Sequence, residues 1–302
     1  IDLMTGETHP IFSDPASKIT VFGFIGATSV AVGYADGSVK FWDLKSGLVT
    51  KTFLGSGGAV TWLHPILELR RIIVVIDKRR FQFWDVDRGK LLTTIQSSLD
   101  IDAGLSYGRK YFLILEGGKI LKVFEAVSGR ELSRFEEPER KFLGVGNFLP
   151  QYFLISDDIS RLRLYTVPKL QLAGTFEGHK DWITASNLTP DAGILVTGSK
   201  DRTVRLWDVA SRHPIRVIKG HTDEIIQTDI TADGQRLISA DIKGVIKTWD
   251  VAELQQDLII GQTDAIFSVA FSPDGKTIAT TSKDKTAKFW DLRTGKLKQN
   301  IV

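Results

Sequence analysis

Residues 178–208 read GHKDWITASNLTPDAGILVTGSKDRTVRLWD, and residues 277–291 repeat the second half of that stretch as TIATTSKDKTAKFWD. Each ends in a Trp-Asp pair. The same pair occurs at Trp42-Asp43, Trp84-Asp85, Trp207-Asp208, Trp249-Asp250 and Trp290-Asp291, at spacings of 42, 123, 42 and 41 residues. The long spacing is three short ones, because Phe124-Glu125 and Tyr165-Thr166 stand where two further pairs are due, giving seven units with steps of 42, 40, 41, 42, 42 and 41. A fixed period of this length marks a chain built from one repeated supersecondary motif. Alternating and β-branched segments precede each pair, with Gly and Asp turns between them, and no stretch has the period of a long amphipathic helix. A single sheet of about 40 residues exposes both faces and buries too little apolar area alone, so neighbouring units must stack.

The order Gly178-His179, Asp191, Ser199, Asp201, Trp207 resembles the WD-repeat family, over the whole chain and most strongly over residues 178–291. The resemblance implies an all-β fold: a seven-bladed β-propeller of four-stranded antiparallel blades, forming one domain over residues 1–302. Its blades are expected to end near Trp42, Trp84, Phe124, Tyr165, Trp207, Trp249 and Trp290. It also implies a structural relay from Trp207 to Ser199, from Ser199 to His179 and from His179 to Asp201. A buried indole N–H left without an acceptor would cost about 1–3 kcal/mol, which gives such a relay its physical reason. The seventh unit keeps Trp290, Ser282 and Asp284 but has Gln262 at the His position. The sixth has His221 and Trp249, with Asp241 at the Ser position and Lys243 at the Asp position, so its network is expected to be rebuilt. Units two to four have lost nearly all of these residues and are expected to be the less rigid part.

Composition narrows the function. The 302 residues are 42% hydrophobic and 25% charged, with a net charge of +3, which is far from the concentrated basic stripe of a nucleic-acid binder. No apolar run approaches the length that spans a bilayer. Without cysteine there are no disulfides, thiolate zinc sites or Cys nucleophiles. The five histidines have no metal-ligand spacing, and the glycine run at 55–58 lacks the Lys and helix of a phosphate loop. No metal or cofactor is therefore expected. Ser199, His179 and Asp201 have the residue types of a hydrolytic triad, but the buried relay already accounts for all three, so no catalytic residue is assigned. Asp157 and Asp158 read as a solvated turn. The chain starts at Ile1, inside a unit, and so reads as a processed product or a piece of a longer protein.

What remains is a binding surface. In the implied architecture, one face carries the loops before each first strand and the turns after each second strand. Lys78, Arg79 and Arg80 fall there in the second unit, and Glu136, Glu137, Glu139, Asp157 and Asp158 in the fourth. Residues flanking the first-strand starts supply Lys18, Asp100, Lys141, Trp182 and Glu224 on one side and Leu143, Ile226 and Phe267 on the other. Trp182, Leu143, Ile226 and Phe267 form an apolar arc flanked by charge, the composition of an interaction hot spot. Of the two tryptophans outside Trp-Asp pairs, Trp62 is expected in the core. The sequence thus points to a non-enzymatic scaffold that takes a protein or peptide on this face. The alternative is an extracytoplasmic propeller of a larger redox or hydrolytic protein, with catalysis elsewhere. Fourth-strand candidates outnumber the units by one. Family usage favours the N-terminal segment around His9–Phe12 pairing with the last unit and residues 296–302 being displaced.

Overall fold

The computed structural model describes residues 17–301 apart from 27, 56, 67–68, 108–109, 150, 254–255 and 263; at 102–107, 144–149 and 256–261 it describes the backbone alone. Among the described residues there are seven four-stranded sheets and no α-helix. In each sheet the strands follow chain order, every neighbour joined by an antiparallel hairpin. Two compact units are distinguished, residues 1–138 and 139–302. The first contains sheets one (Ile19–Phe53), two (Val60–Gln96) and three (Ile101–Glu136). The second contains sheets four (Phe142–Phe176), five (Ile183–Lys219), six (Ile225–Gly261) and seven (Ile266–Ile301).

The third strand of each sheet ends at a Trp-Asp pair or its substitute, from Val39–Asp43 in the first to Ala287–Asp291 in the seventh. Side chains alternate along a strand, so a third strand such as Thr203–Asp208 sends Val204 and Leu206 to one face and Trp207 to the other. Val204 and Leu206 pack with Ile225, Ile230 and Leu237 of sheet six, while Trp207 packs with Leu154, Leu164 and Phe176 of sheet four. Sheet five thus contributes to two cores, one on each face.

First strands of sheets four to seven are neighbours in that order. Asp229 ties three of them together: its carboxylate accepts from the Phe271 N–H at 2.8 Å and from Asn187 Nδ2 at 3.3 Å. Burial pushes the Asp229 carboxyl above its ordinary value, against the pull of the Phe271 and Ile230 N–H groups.

The seventh sheet corrects one expectation. Its fourth strand is Leu297–Ile301, which pairs with the third strand from Ala287↔Ile301 to Trp290↔Leu297. Residues 297–301 are therefore not displaced. The connection is local: Gly295, at φ +67°, donates to the Asp291 carbonyl at 2.8 Å and lets the chain double back. Closing so short a hairpin loses far less chain entropy than recruiting a segment nearly 300 residues away. The expected strand around His9–Phe12 lies outside the described residues.

Candidate functional site

In sheet five the Trp207 indole donates to Thr197 Oγ1 at 2.9 Å, Thr197 Oγ1 meets His179 Nε2 at 2.8 Å, and His179 Nδ1 meets Asp201 Oδ2 at 2.9 Å. The hydroxyl in the relay is Thr197, not Ser199. Trp207 pairs opposite Leu195, two residues from Thr197 and four from Ser199, and two extra residues of strand put Ser199 roughly 7 Å too far along. Ser199 instead donates to the Asp181 carbonyl at 2.8 Å and accepts from the Asp201 N–H at 3.0 Å. Burial pushes the His179 imidazole below its ordinary value more than the Asp201 carboxylate pulls it up, so the ring is neutral at pH 7. Nδ1 then carries the proton donated to Asp201, and Nε2 accepts from Thr197. Burial would raise the Asp201 carboxyl, but donors from His179, Thr203 and the Lys180 N–H hold it well below the usual range.

Sheet six has a complete relay of its own, in rebuilt form. The Trp249 indole donates to Ser239 at 2.9 Å, Ser239 meets His221 Nε2 at 2.8 Å, and His221 Nδ1 meets Asp241 at 2.9 Å. The acid has moved from the turn to the end of the second strand, and from there reaches the same nitrogen. In sheet seven Trp290 and Gln262 both donate to Thr280, at 3.1 and 2.6 Å. Sheets one to four carry Val32, Val74, Ile114 and Ile155 at the hydroxyl position, opposite Lys40, Gln82, Lys122 and Arg163, so no such relay can start.

Other ties take its place. Buried ion pairs join Glu116 to Lys122 at 2.8 Å and Asp157 to Arg163 at 2.9 Å, and Tyr34 accepts from the Trp42 indole at 3.3 Å. Asp157 is thus not a solvated turn residue: it is fully buried and also accepts from Arg161. The expectation of a stripped, looser stretch overlooked these pairs, because in sequence they look like ordinary surface charge.

The Gly before each relay His has a steric reason. A Cβ on Gly178 would lie 2.5 Å from Arg205 Nη1, and one on Gly220 would lie 2.8 Å from the Trp249 ring; both residues also have positive φ, at +142° and +152°.

His179→Ala should lower the unfolding free energy by about 1–3 kcal/mol, since it takes the acceptor from the buried Thr197 hydroxyl and one donor from the Asp201 carboxylate. His213 is exposed, and His213→Ala should change little. Urea denaturation of both variants decides the point, and equal costs would count against the relay.

The triad reading fails on geometry. His179 commits both ring nitrogens to Thr197 and Asp201, and the Thr197 hydroxyl, fully buried, also accepts from Trp207. No substrate could reach that oxygen. Among the described residues no group of three or more His, Cys, Asp or Glu could hold a metal ion.

The expected partner residues separate by unit. In the second unit, Trp182 stands just before the first strand of sheet five, 43% exposed, with Lys200 Nζ 4.9 Å from its ring centroid and 3.4 Å from Glu224. Phe267 in sheet seven is 63% exposed and Leu143 in sheet four 39%. Ile226, on the strand between those of Trp182 and Phe267, is half-buried against the core of sheets six and seven. Lys141 is exposed, and its N–H is held by Asp158 at 3.2 Å. In the first unit Lys18 is exposed, and Arg79 and Asp100 pair with each other at 2.8 Å. Arg80 reaches the Gly57 carbonyl and Asp77, and Lys78 sits in the turn at φ +58°. The expected basic triplet is thus partly neutralised. Trp62 stacks on His64, ring centroids 5.3 Å apart, against the core of sheets two and three.

A family model described as WD domain, G-beta repeat matches residues 170–208, 212–250 and 254–291. Residues 170–291 carry three consecutive WD repeats. Each matched repeat covers the fourth strand of one sheet and the first three strands of the next, and they include Trp207, Trp249 and Trp290 in turn. An uncharacterised WD repeat-containing protein of Synechocystis sp. is 32% identical over 126 residues, 41% of this chain and 36% of that protein. Mitochondrial division protein 1 of Saccharomyces cerevisiae is 32% identical over 124 residues, 41% of this chain and 14% of that one. Human WD repeat-containing protein 18 is 39% identical over 51 residues, 17% and 12% of the two chains. The matched part spans little more than a third of the Synechocystis relative and far less of the others. Among solved structures, the computationally designed Ika8 protein superposes with a TM-score of 0.77 over 94% of this chain and 87% of its own, at 23% identity, a likeness of fold alone. The fold class is all-β, a seven-bladed β-propeller of four-stranded antiparallel blades. WD-repeat proteins are in general protein-interaction scaffolds.

Proposed function

We propose that this WD-repeat chain is a single-domain, non-enzymatic scaffold that binds a protein or peptide along the first-strand starts of sheets four to seven. The observation that carries the reading is the exposure of Trp182 and Phe267 beside Ile183, Ile225 and Ile266, which are buried. Nothing in the packing requires a large aromatic side chain at either position. Aromatic anchors ringed by charge are the usual energetic centre of an interface, and Lys141, Lys200 and Glu224 supply the charge. Ile226, half-buried, offers a floor between the two. In the first unit, taken by itself, Lys18, Lys78, Arg79, Arg80 and Asp100 are proposed as partner-contacting charges that set orientation more than affinity.

The test compares the intact chain with Trp182→Ala/Phe267→Ala in affinity capture followed by quantitative mass spectrometry and a direct affinity measurement on the captured partner. Binding should fall about tenfold or more, with the melting temperature nearly unchanged. Unchanged binding by a folded double variant would overturn the assignment, and so would its unfolding, since the residues would then be core.

A further inference from the structure

A second feature of the second compact unit stands apart from the aromatic residues and does not depend on their reading. A cavity of about 540 Å³ opens against the outer half of sheet five. Thr203 pairs with Lys219 and Arg205 with Val217, and direct cross-strand partners point to the same face, so these four side chains form one patch. Lys180, from the loop before the first strand, and Arg202, from the turn after the second, complete the wall. Four cationic side chains thus surround the space, against a single carboxylate, Asp201.

That carboxylate is already engaged. His179, Thr203 and the Lys180 N–H all donate to Asp201, leaving it little to offer the surrounding cations. Arg205 is held in place from one side, its guanidinium carbon 5.8 Å from the Trp207 ring centroid. Its Nε is nevertheless buried with no hydrogen-bond partner among the described residues. A buried guanidinium N–H without an acceptor is costly, and an incoming anion would relieve it. Lys180 and Lys219 are exposed at the rim. Arg202 also lies near a carboxylate outside the cavity, Asp223, which is itself paired with Lys243 at 2.7 Å.

The arrangement is not a by-product of the repeat. In sheet six the equivalents of Lys180, Arg202 and Lys219 are Thr222, Gly244 and Gly261, which leaves Lys247 as the only cation at these positions. The charges were assembled once, around one space. That space falls within the range of small-ligand pockets, about 300–1,000 Å³. A planar guanidinium with flanking ammonium groups matches a phosphoryl oxyanion, which accepts bidentate hydrogen bonds and spreads further charge over its remaining oxygens.

We propose that this cavity binds a phosphoryl group, with Arg205 as the central donor and Lys180, Lys219 and Arg202 around it. The group could arrive on a small phosphorylated molecule or on a phosphorylated side chain of a peptide, and the two are told apart by titration.

The intact chain is titrated calorimetrically with inorganic pyrophosphate, with a phosphothreonine peptide and with the same peptide unphosphorylated. Saturable binding of pyrophosphate or of the phosphopeptide, but not of the unphosphorylated peptide, is expected; the tighter of the two identifies the source. Arg205→Gln should weaken binding at least tenfold. Because Arg205 covers Trp207 and its loss could disturb the fold, a second variant, Lys180→Gln/Lys219→Gln, alters only rim side chains and should also lose at least tenfold. A charge-matched control, Lys169→Gln/Lys296→Gln, removes two exposed lysines outside the cavity and should bind as the unaltered chain does. Absence of saturable binding to both phosphorylated probes, or an equal loss in the control, would overturn the proposal.

Discussion

Asp157→Asn should cost about 3–5 kcal/mol of unfolding free energy, far more than the same change at a surface ion pair. Asp157 is completely buried, and its carboxylate accepts from Arg163 Nε at 2.9 Å, from Arg161 Nε at 3.1 Å and from the Ile159 and Arg161 N–H groups at 3.1 and 3.0 Å. Removing the negative charge leaves the Arg163 guanidinium, itself buried, without its counter-ion, and an amide NH₂ would face donors it cannot accept from. The Arg70–Asp87 pair provides the comparison, both side chains being more than half exposed, at 57% and 55%. Asp87→Asn should cost no more than about 1 kcal/mol. Adding Arg163→Met to Asp157→Asn should restore much of the loss, because the stranded charge goes with it. Chemical denaturation of the three variants is the measurement. If Asp157→Asn costs no more than Asp87→Asn, the buried pair does not hold sheet four as described.

Trp207→Ala should be comparably severe, at about 3–5 kcal/mol, whereas Trp182→Ala should cost less than about 0.5 kcal/mol. The residue type is the same and the surroundings differ. Trp207 is 1% exposed, packs edge-on to Phe176 with centroids 5.8 Å apart, and holds the Thr197 hydroxyl. Its loss opens a cavity between sheets four and five and removes the donor that starts the relay. Trp182 is nearly half exposed, with the Lys200 ammonium over its ring. Hydrogen exchange should show the loosening of Trp207→Ala along Ile194–Ser199 and Leu162–Thr166, the strands on either side of the cavity. Similar costs for the two substitutions would mean that burial does not distinguish these tryptophans.

The sequence carried the repeat almost completely, because the period and the Trp-Asp pairs are local and survive even where Phe124 and Tyr165 replace Trp. It could not place the relay hydroxyl. Thr197 and Ser199 are both hydroxyl residues on the same face of one strand, and only the pairing of Leu195 with Trp207 shows which lies within reach. The buried pairs Glu116–Lys122 and Asp157–Arg163 were invisible for a related reason: six residues apart, they look like any two surface charges until a hairpin register brings them together. Family usage outweighed a local signal at the C-terminus, where Thr294-Gly295-Lys296 is a hairpin turn in plain view. The cation-lined cavity draws on three separated segments. One clue was present: a basic residue two places before the Trp slot recurs as Lys40, Lys122, Arg163, Arg205, Lys247 and Lys288, and the fifth unit alone adds Lys180 and Lys219 around it.

Sheet six shows how one kind of internal tie can turn into the other without a broken intermediate. Its acid, Asp241, already occupies the last place of the second strand, where Glu116 and Asp157 stand in sheets three and four, and Lys247 occupies the place of their partners Lys122 and Arg163. Yet Asp241 still serves His221. A lineage of duplicated units could therefore relocate the acid first, keep a working relay, and give up the histidine and the hydroxyl only later, when the nearby cation is ready to take the carboxylate. Each step leaves every buried charge with a partner, so divergence among the repeats can proceed by single substitutions along a path that never strands one.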